Sequence, residues 1–146
     1  MVKEGVKVET IGDLSSFPED VQRELCLTKE ATKENITIEL VLALNYGGRD
    51  DIRRAAQKIA KKCVLGELRW EELSEELISS HLDTDRWKDP ELIIRTGGEK
   101  RASNFLLWQS SYSEVVVSDV LWPDFGKKDL IDALKEYQKR ERRIGS

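Results

Sequence analysis

Cysteine, histidine and proline are scarce in this sequence. The scarcity of cysteine and histidine argues against zinc sites, disulfide frameworks and catalytic arrangements built on histidine. The 146 residues include two cysteines, one histidine and three prolines. Cys26 and Cys63 stand far apart without a C-x-x-C motif, so neither a zinc site nor a disulfide framework is indicated. The single His81 gives no basis for a Ser-His-Asp or Cys-His arrangement. This cysteine usage fits a reduced, cytoplasmic location.

Long hydrophobic runs and an excess of positive charge are also missing. No apolar stretch approaches the roughly 20 residues that span a bilayer, and residues 1–10 lack the apolar core of a signal peptide. The net charge of −4 gives no chain-wide basic field, so we expect no nucleic-acid partner. The composition, 39% hydrophobic and 36% charged, is typical of a globular protein. We expect a single domain over residues 1–146.

The hydrophobic pattern alternates between strands and helices. Residues 36–45 form a nearly unbroken apolar run, typical of a central strand covered on both faces. Strands that alternate with helices indicate an α/β fold with a mostly parallel central sheet flanked by helices. The predicted strands are 6–12, 36–45, 91–96 and 114–119, and the predicted helices are 18–32, 47–66, 74–81, 104–112 and 128–142.

Basic and small residues follow the third predicted strand, in the stretch RTGGEKRASNF at 95–105. Ligands of open α/β sheets bind beyond the carboxyl ends of the strands. Gly97 and Gly98 would leave amide N–H groups free to face an anion, and a helix beginning near Asn104 would add its positive end. Arg95 and Arg101 add bidentate donors, and Ser103 follows them with a hydroxyl. Together these features indicate a phosphate site, more plausibly a diphosphate site.

A plainer interpretation of this stretch stays open on the residues alone. It contains neither a P-loop nor a G-x-G-x-x-G motif. Its arginines could pair with Glu99 or Glu91 in an exposed loop, while its glycines only turn the chain. A second glycine pair, Gly47 and Gly48, follows the strand predicted at 36–45.

Four segments together resemble the cis-prenyltransferases, the undecaprenyl diphosphate synthase family. The likeness covers nearly the whole chain, and the block at 95–125 is highly specific. The segments are IGDLSSFPEDVQ, LALNYGGRDDI, ELIIRTGGEKRASNFLLWQSSYSEVVVSDVLWPDF and KRERRIG.

The resemblance implies an enzyme that adds isopentenyl diphosphate to an allylic diphosphate with cis geometry and makes a polyprenyl diphosphate, using Mg²⁺. It implies peripheral contact with a membrane surface, because the product is a long lipid. It assigns no catalytic residue to this chain. The residues it implies for isopentenyl diphosphate are Arg95, Arg101 and Ser103, with weaker roles for Lys100, Gly97 and Gly98.

The resemblance also implies a metal residue and a dimer. Glu114 matches the acidic residue that the family associates with the metal and the diphosphate; otherwise it is a carboxylate at a strand edge. Arg143 and Gly145 match a tail motif that reaches the phosphate site of a neighbouring subunit, so a homodimer is expected. Without the resemblance, that tail is a solvated basic run favourable to a helix dipole.

One family signature has no counterpart here. The family carries an acidic residue followed by a phosphate loop near its N-terminus, and no such segment precedes Val6. We therefore expect roughly the C-terminal three-fifths of a family member, with a sheet truncated at its N-terminal strands. Such a chain is expected to be inactive unless another segment or subunit completes it.

Two other functions remain as alternatives. The first is a non-catalytic partner subunit of a heteromeric cis-prenyltransferase, although a pure partner need not keep Arg95, Arg101, Ser103 and Glu114. The second is a generic anion-binding α/β module for nucleotides or phosphoproteins. Selectivity for isopentenyl diphosphate over ATP would separate this module from the prenyltransferase.

Overall fold

The computed structural model describes residues 4–140 and divides into two compact units, Met1–Arg86 and Trp87–Ser146. Each unit contains one pair of parallel strands with helices beside it, so the predicted α/β class is confirmed. The tail residues Arg143 and Gly145 lie outside the described residues. The single-domain interpretation stays a prediction.

The first unit is built on the strands β1 (Val6–Ile11) and β2 (Ile38–Ala43), which pair in parallel. Between them runs helix α1 (Glu19–Thr32), which begins after Pro18 with two acids in its first turn, where the helix dipole favours them. Helices α2 (Gly48–Val64) and α3 (Glu75–Ser79) follow β2. The buried apolar side chains of this unit are Val8, Ile11, Ala55, Ile59 and Leu82.

The second unit is built on the parallel strands β3 (Leu92–Arg95) and β4 (Glu114–Val117). Helix α4 (Lys127–Gln138) follows β4 and contributes the buried Ala133. Val116 of β4 is 2% exposed. Three short 3₁₀ helices lie wholly within the described residues, at Leu14–Ser16, Trp70–Glu72 and Trp122–Asp124.

The prediction that residues 36–45 form a central, doubly covered strand is wrong for this structure. Within residues 4–140, β2 pairs with β1 and with no second strand. Ile38 is consequently 60% exposed and Leu40 38% exposed. The apolar run does form a strand, but a two-stranded sheet gives it a neighbour on one edge only.

The short helix predicted over 104–112 is also wrong, because the described chain takes a series of turns there. Ser103, Asn104 and Leu106 have φ angles of 50°, 61° and 46°. These values lie in the left-handed region, which a right-handed helix cannot contain. The positive helix end expected near Asn104 is therefore absent from this part of the structure.

Across residues 4–140, no helix is both long enough and apolar enough to cross a membrane.

Candidate functional site

The glycine pair after β3 turns the chain and extends the contact with β4. Gly97 and Gly98 have φ angles of +68° and +69°, which glycine adopts without steric cost. Their N–H groups donate to the carbonyl oxygens of Val120 at 2.8 Å and Ser118 at 2.9 Å. The prediction that these amides are free to face an anion is therefore wrong, so an anion site here cannot use the N–H groups of Gly97 and Gly98.

Three cationic side chains surround one cavity beside this turn. Arg95, Lys100 and Arg101 line a cavity of about 140 Å³, which we call the cationic cavity. The rest of its wall is small or apolar, contributed by Ile93, Ala102, Phe105, Ser110 and Val115. The structure thus brings together the three basic residues that the sequence placed in the site.

Arg95 is the most constrained of the three cations. It is the last residue of β3, and its Nη2 donates to the Ser103 hydroxyl at 3.3 Å. Its Nε is buried and has no hydrogen-bond partner among the described residues. A buried donor without an acceptor is costly, and on a charged group more so. An anion in the cationic cavity would supply that acceptor.

Arg101 already has a partner in Glu99. Its Nε and Nη2 donate to the two carboxylate oxygens of Glu99 at 3.0 and 2.8 Å, and its backbone N–H donates to the same carboxylate at 3.2 Å. The hydrogen bonds from Arg101 lower the pKa of Glu99 to about 2. The alternative in which an arginine pairs with Glu99 is thus confirmed for Arg101, and an anion must share or displace Glu99.

Ser103 joins the two arginines of the loop. Its hydroxyl accepts from Arg95 and donates to the carbonyl oxygen of Arg101 at 3.5 Å. Its left-handed backbone turns the chain back toward β3 instead of starting a helix. Ser103 therefore orients Arg95 in this structure.

Glu114 lies away from the cationic cavity. Alternate side chains of a strand point to opposite faces, and the neighbouring Val115 lines the cavity, so Glu114 faces the other side of the β3–β4 pair. It pairs with Leu92, whereas Arg95 pairs with Val117, so the two lie about 10 Å apart along the strands. Its Oε2 accepts from Nη1 of Arg140 at 2.9 Å.

The position of Glu114 does not fit a metal ion that would also contact a ligand in the cationic cavity. Mg²⁺ prefers one or two carboxylates together with substrate phosphates. The described residues contain no group of three or more His, Cys, Asp and Glu side chains that could hold a metal ion. The predicted metal role of Glu114 stays a prediction, and this geometry does not support it within one chain.

The second glycine pair belongs to the first unit and begins α2. Gly47 caps that helix, Gly48 is buried in its first turn, and Arg49 is exposed. The first-turn residue Asp51 is 1% exposed and accepts hydrogen bonds from the Tyr46 hydroxyl and the Asp83 N–H. These contacts indicate a structural role for the start of α2.

Sequence reasoning missed several ionic contacts between distant residues, two of which involve Arg54 and Arg140. Arg54 donates to both carboxylate oxygens of Asp83, with Nη2 to Oδ2 at 2.7 Å. The Arg140–Glu114 pair in the second unit joins residues 26 positions apart. Nη2 of Arg54 also lies 3.7 Å from Oδ1 of Asp51, and this i, i+3 pair is the one part of the network that helix spacing weakly indicates. The long-range pairs could not be found without the fold.

The two parallel strand pairs flanked by helices define an α/β protein, and three cations surround a small cavity at the carboxyl end of β3. The prenyltransferase family model described as undecaprenyl diphosphate synthase matches residues 1–145. The chain belongs to this family.

Similarity to named proteins supports this family assignment. The chain is 46% identical to an isoprenyl transferase of Chlamydia trachomatis serovar D, over 96% of the chain and 55% of that protein. It is 46% identical to a ditrans,polycis-undecaprenyl-diphosphate synthase, (2E,6E)-farnesyl-diphosphate specific, of Micrococcus luteus, over 99% of the chain and 58% of that protein. The chain spans little more than half the length of these relatives.

Solved structures show the same fold. A lavandulyl diphosphate synthase from Lavandula x intermedia, in complex with dimethylallyl diphosphate, matches with a TM-score of 0.91 and 41% identity, over 94% of the chain and 59% of that structure. A probable undecaprenyl diphosphate synthase from Campylobacter jejuni matches with a TM-score of 0.83 and 39% identity, over 99% of the chain and 65% of that structure.

Proposed function

We propose that the cationic cavity binds the diphosphate of isopentenyl diphosphate. The convergence of Arg95, Lys100 and Arg101 on one cavity carries this proposal, because three cations there have only Glu99 as a close counter-ion among the described side chains of the loop. A diphosphate offers several oxygen atoms to the two guanidinium forks and to the unsatisfied Nε of Arg95.

The size and lining of the cavity favour a small isoprenoid substrate over a nucleotide. Its volume of about 140 Å³ lies well below the about 300–1,000 Å³ of sites for drug-sized ligands. Ile93, Phe105 and Val115 form an apolar wall beside the cations. We propose that this wall takes the five-carbon chain while the cations hold the diphosphate.

The chain would then position one substrate of a prenyl transfer. In that reaction the C1–O bond of an allylic diphosphate breaks and its electron pair leaves with the diphosphate. The double bond of isopentenyl diphosphate forms the new carbon–carbon bond through C4, and a proton leaves C2. Arg95, Arg101 and Ser103 would hold the isopentenyl diphosphate in one orientation, and such positioning lowers the barrier by removing freedom of motion.

We propose further that turnover requires a homodimer. The resemblance of the sequence to cis-prenyltransferases supports this proposal. Because a diphosphate brings its own oxygen ligands, we propose that Mg²⁺ reaches the site with the substrate rather than through a carboxylate cluster in the described residues. The proposals of a cytoplasmic location and of peripheral membrane contact rest on the sequence alone.

Calorimetric titration of isopentenyl diphosphate into the full chain tests the central proposal. We expect saturable binding, with and without Mg²⁺, that Arg101→Ala weakens about tenfold to hundredfold, because charged hydrogen bonds are lost. Lys88→Ala is the matched control, since it removes an exposed positive charge of the same unit that does not line the cavity.

Two results would contradict the proposal. A folded wild-type chain that does not bind isopentenyl diphosphate would remove its basis. Equal affinity for ATP would favour the generic anion-binding module. Adding an allylic diphosphate to the same sample shows whether this chain turns over alone.

A further inference from the structure

The loop beside the cationic cavity concentrates strained backbone. Of the residues that the structure describes, four other than glycine have a positive φ, and three of them lie within four positions: Ser103 at 50°, Asn104 at 61° and Leu106 at 46°. Left-handed backbone is unfavourable for such residues, and most of all for a bulky one such as leucine. Strain of this kind persists where the surrounding structure imposes it, and it clusters at ligand sites. Phe105 lies between these residues.

A tight turn accounts for the first two of these angles. The N–H of Phe105 donates to the carbonyl oxygen of Ala102 at 3.1 Å, so residues 102–105 form a turn with Ser103 and Asn104 at its centre. Positive φ at both central positions is the pattern of a type I′ turn, which glycine and asparagine favour. Both ends of the turn, Ala102 and Phe105, line the cationic cavity. The turn therefore presents Phe105 to the cavity.

Contacts on both sides of Phe105 impose this backbone. Before it, the Ser103 hydroxyl accepts a hydrogen bond from Arg95, which a glycine in the same turn would lose. After it, the carbonyl oxygen of Leu106 accepts from the N–H of Ser110 at 2.8 Å. The direction of the Phe105 side chain is therefore set by the fold of the loop.

Phe105 differs from the other large apolar residues of the cavity wall. Ile93 and Val115 are paired with each other across β3 and β4, so their positions belong to the sheet. Phe105 is contributed by the loop and is 38% exposed. Its ring has apolar surface that a bound carbon chain would cover, and covering that surface would add to affinity.

We propose that Phe105 is the specificity-determining residue of the cationic cavity, and that the strained backbone at 103–106 holds its ring against the carbon chain of the substrate. This inference rests on the proposed binding of isopentenyl diphosphate. The cations contact a diphosphate group, which every prenyl diphosphate carries, so they do not select for chain length. A ring held beside a cavity of about 140 Å³ favours five carbons over the ten of a geranyl chain.

Three ligands titrated into the full chain test the role of the ring. They are isopentenyl diphosphate, geranyl diphosphate and inorganic diphosphate, which has the charge but no carbon chain. The variants are Phe105→Ala and Tyr112→Ala, each studied at a temperature where it is folded. Tyr112→Ala is the matched control, because it removes an aromatic ring of the same unit that is 82% exposed and does not line the cavity.

We expect Phe105→Ala to weaken isopentenyl diphosphate binding about tenfold and to leave the affinity for inorganic diphosphate within about twofold of the wild type. The preference for isopentenyl over geranyl diphosphate should fall by about tenfold or more. Tyr112→Ala should change none of these values. A ring with a merely structural role would not change the preference between the two chain lengths.

Substitution of Leu106 tests the contribution of the backbone. Leu106→Ile keeps an apolar side chain of the same size, but its branched Cβ makes the left-handed φ of 46° more costly. Leu106→Met is the control, since its Cβ is unbranched. We expect Leu106→Ile to weaken isopentenyl diphosphate binding by about threefold or more and to change inorganic diphosphate binding less, while Leu106→Met stays close to the wild type. Equal affinities in the two variants would reject the role of the strained backbone.

The outcomes separate this inference from the proposed function. A wild-type chain without affinity for isopentenyl diphosphate would overturn the proposed function and the inference with it. If the wild type binds, unchanged affinity and chain-length preference in Phe105→Ala would overturn the inference alone. An equal loss of inorganic diphosphate binding in Phe105→Ala would also overturn it, because the ring would then support the cations rather than recognise the carbon chain.

Discussion

At the scale of single residues, Glu99 decides how available Arg101 is to a ligand. The two side chains share two hydrogen bonds, and the carboxylate is the competitor that a diphosphate would meet first. Exposed ion pairs are worth about 0–1 kcal/mol, so the competition is modest. Glu99 therefore holds Arg101 in place without preventing its use.

Removal of this competitor gives the first prediction. Glu99→Gln should tighten isopentenyl diphosphate binding by up to about fivefold in calorimetric titration. Because the pKa of Glu99 is about 2, the carboxylate stays charged from pH 5 to pH 8 and should add no pH dependence over that range. Weaker binding in Glu99→Gln would show that Glu99 orients Arg101 for the ligand.

Gly98 gives the second prediction at this scale. A Cβ atom at this position would lie 3.2 Å from Oδ1 of Asp119, and its φ of +69° is unfavourable for alanine. Gly98→Ala should lower the free energy of unfolding by about 1–3 kcal/mol in urea titrations. Gly66→Ala is the control, with a similar φ of +71° but no heavy atom within 4 Å. Equal losses at both positions would exclude crowding by Asp119.

At the scale of elements, a hydrogen bond from β1 to the end of α1 covers an outer edge of the first sheet. The N–H of Val8 donates to Oγ1 of Thr32 at 3.0 Å, and both residues are buried. The strand therefore has a side-chain acceptor where a neighbouring strand would otherwise provide one. This contact also orients the helix that connects β1 to β2.

Thr32→Val tests that contact with little change in shape. The substitution leaves the Val8 N–H buried without an acceptor, which costs about 1–3 kcal/mol. We expect this loss in the free energy of unfolding measured by urea. Thr37→Val, the same change at an exposed position, should cost much less. Similar values for the two variants would show that the hydrogen bond contributes little.

The ion pair between Arg54 and Asp83 predicts how the stability of the fold changes at acidic pH. Hydrogen bonding from Arg54 is the main cause that lowers the pKa of Asp83 below 3.8. The folded state then binds this proton less tightly than the unfolded chain, so the contact stabilises above about pH 4 and is lost as the pH falls further. Asp83 also accepts from the N–H of Gly12, which links the end of β1 to this network.

Urea titrations from pH 7 to pH 3 test whether the free energy of unfolding falls with pH in this way. The wild type should lose stability below about pH 4, whereas Asp83→Asn should be less stable at pH 7 and lose less on acidification. Asp85→Asn, at an exposed carboxyl, should follow the wild type. A parallel decline in Asp83→Asn would assign the acid sensitivity to other groups.

The elements also show what the sequence could predict. All four strands and four of the five helices lie where periodicity placed them, because alternation and capping residues are local signals. The prediction of a helix over 104–112 was wrong, because hydrophobic periodicity does not show that residues such as Asn104 adopt left-handed backbone angles. The sequence indicated the three cations of the cationic cavity. It offered Glu99 and Glu91 as alternative partners of the arginines and could not decide between them. The face of the sheet on which Glu114 lies could be determined only from the register of β4.

At the scale of the whole molecule, both units have exposed apolar side chains. Ile38 and Leu40 are exposed on β2 of the first unit. In the second unit, Leu121 is 62% exposed and Trp122 is 75% exposed. Exposed apolar patches and uncovered strand edges are surfaces at which chains associate.

Self-association gives the last prediction. We expect the chain to associate most near its pI of about 5.2, where repulsion between molecules is weakest. Ile38→Lys should reduce association in light scattering, since a charge on an edge strand opposes strand pairing. Val64→Lys, at a position 88% exposed near the end of α2, is the control. Equal effects would indicate net charge alone, and no effect would exclude β2.

The engaged amides of Gly97 and Gly98 have a consequence for how such a site can change. A phosphate loop that binds through backbone N–H groups keeps its preference whatever side chains it carries. Here the N–H groups of Gly97 and Gly98 donate to Val120 and Ser118, so recognition at the proposed site would depend on side chains, which can be replaced. We therefore expect single substitutions to change the ligand preference of the proposed site while the backbone of the loop stays intact.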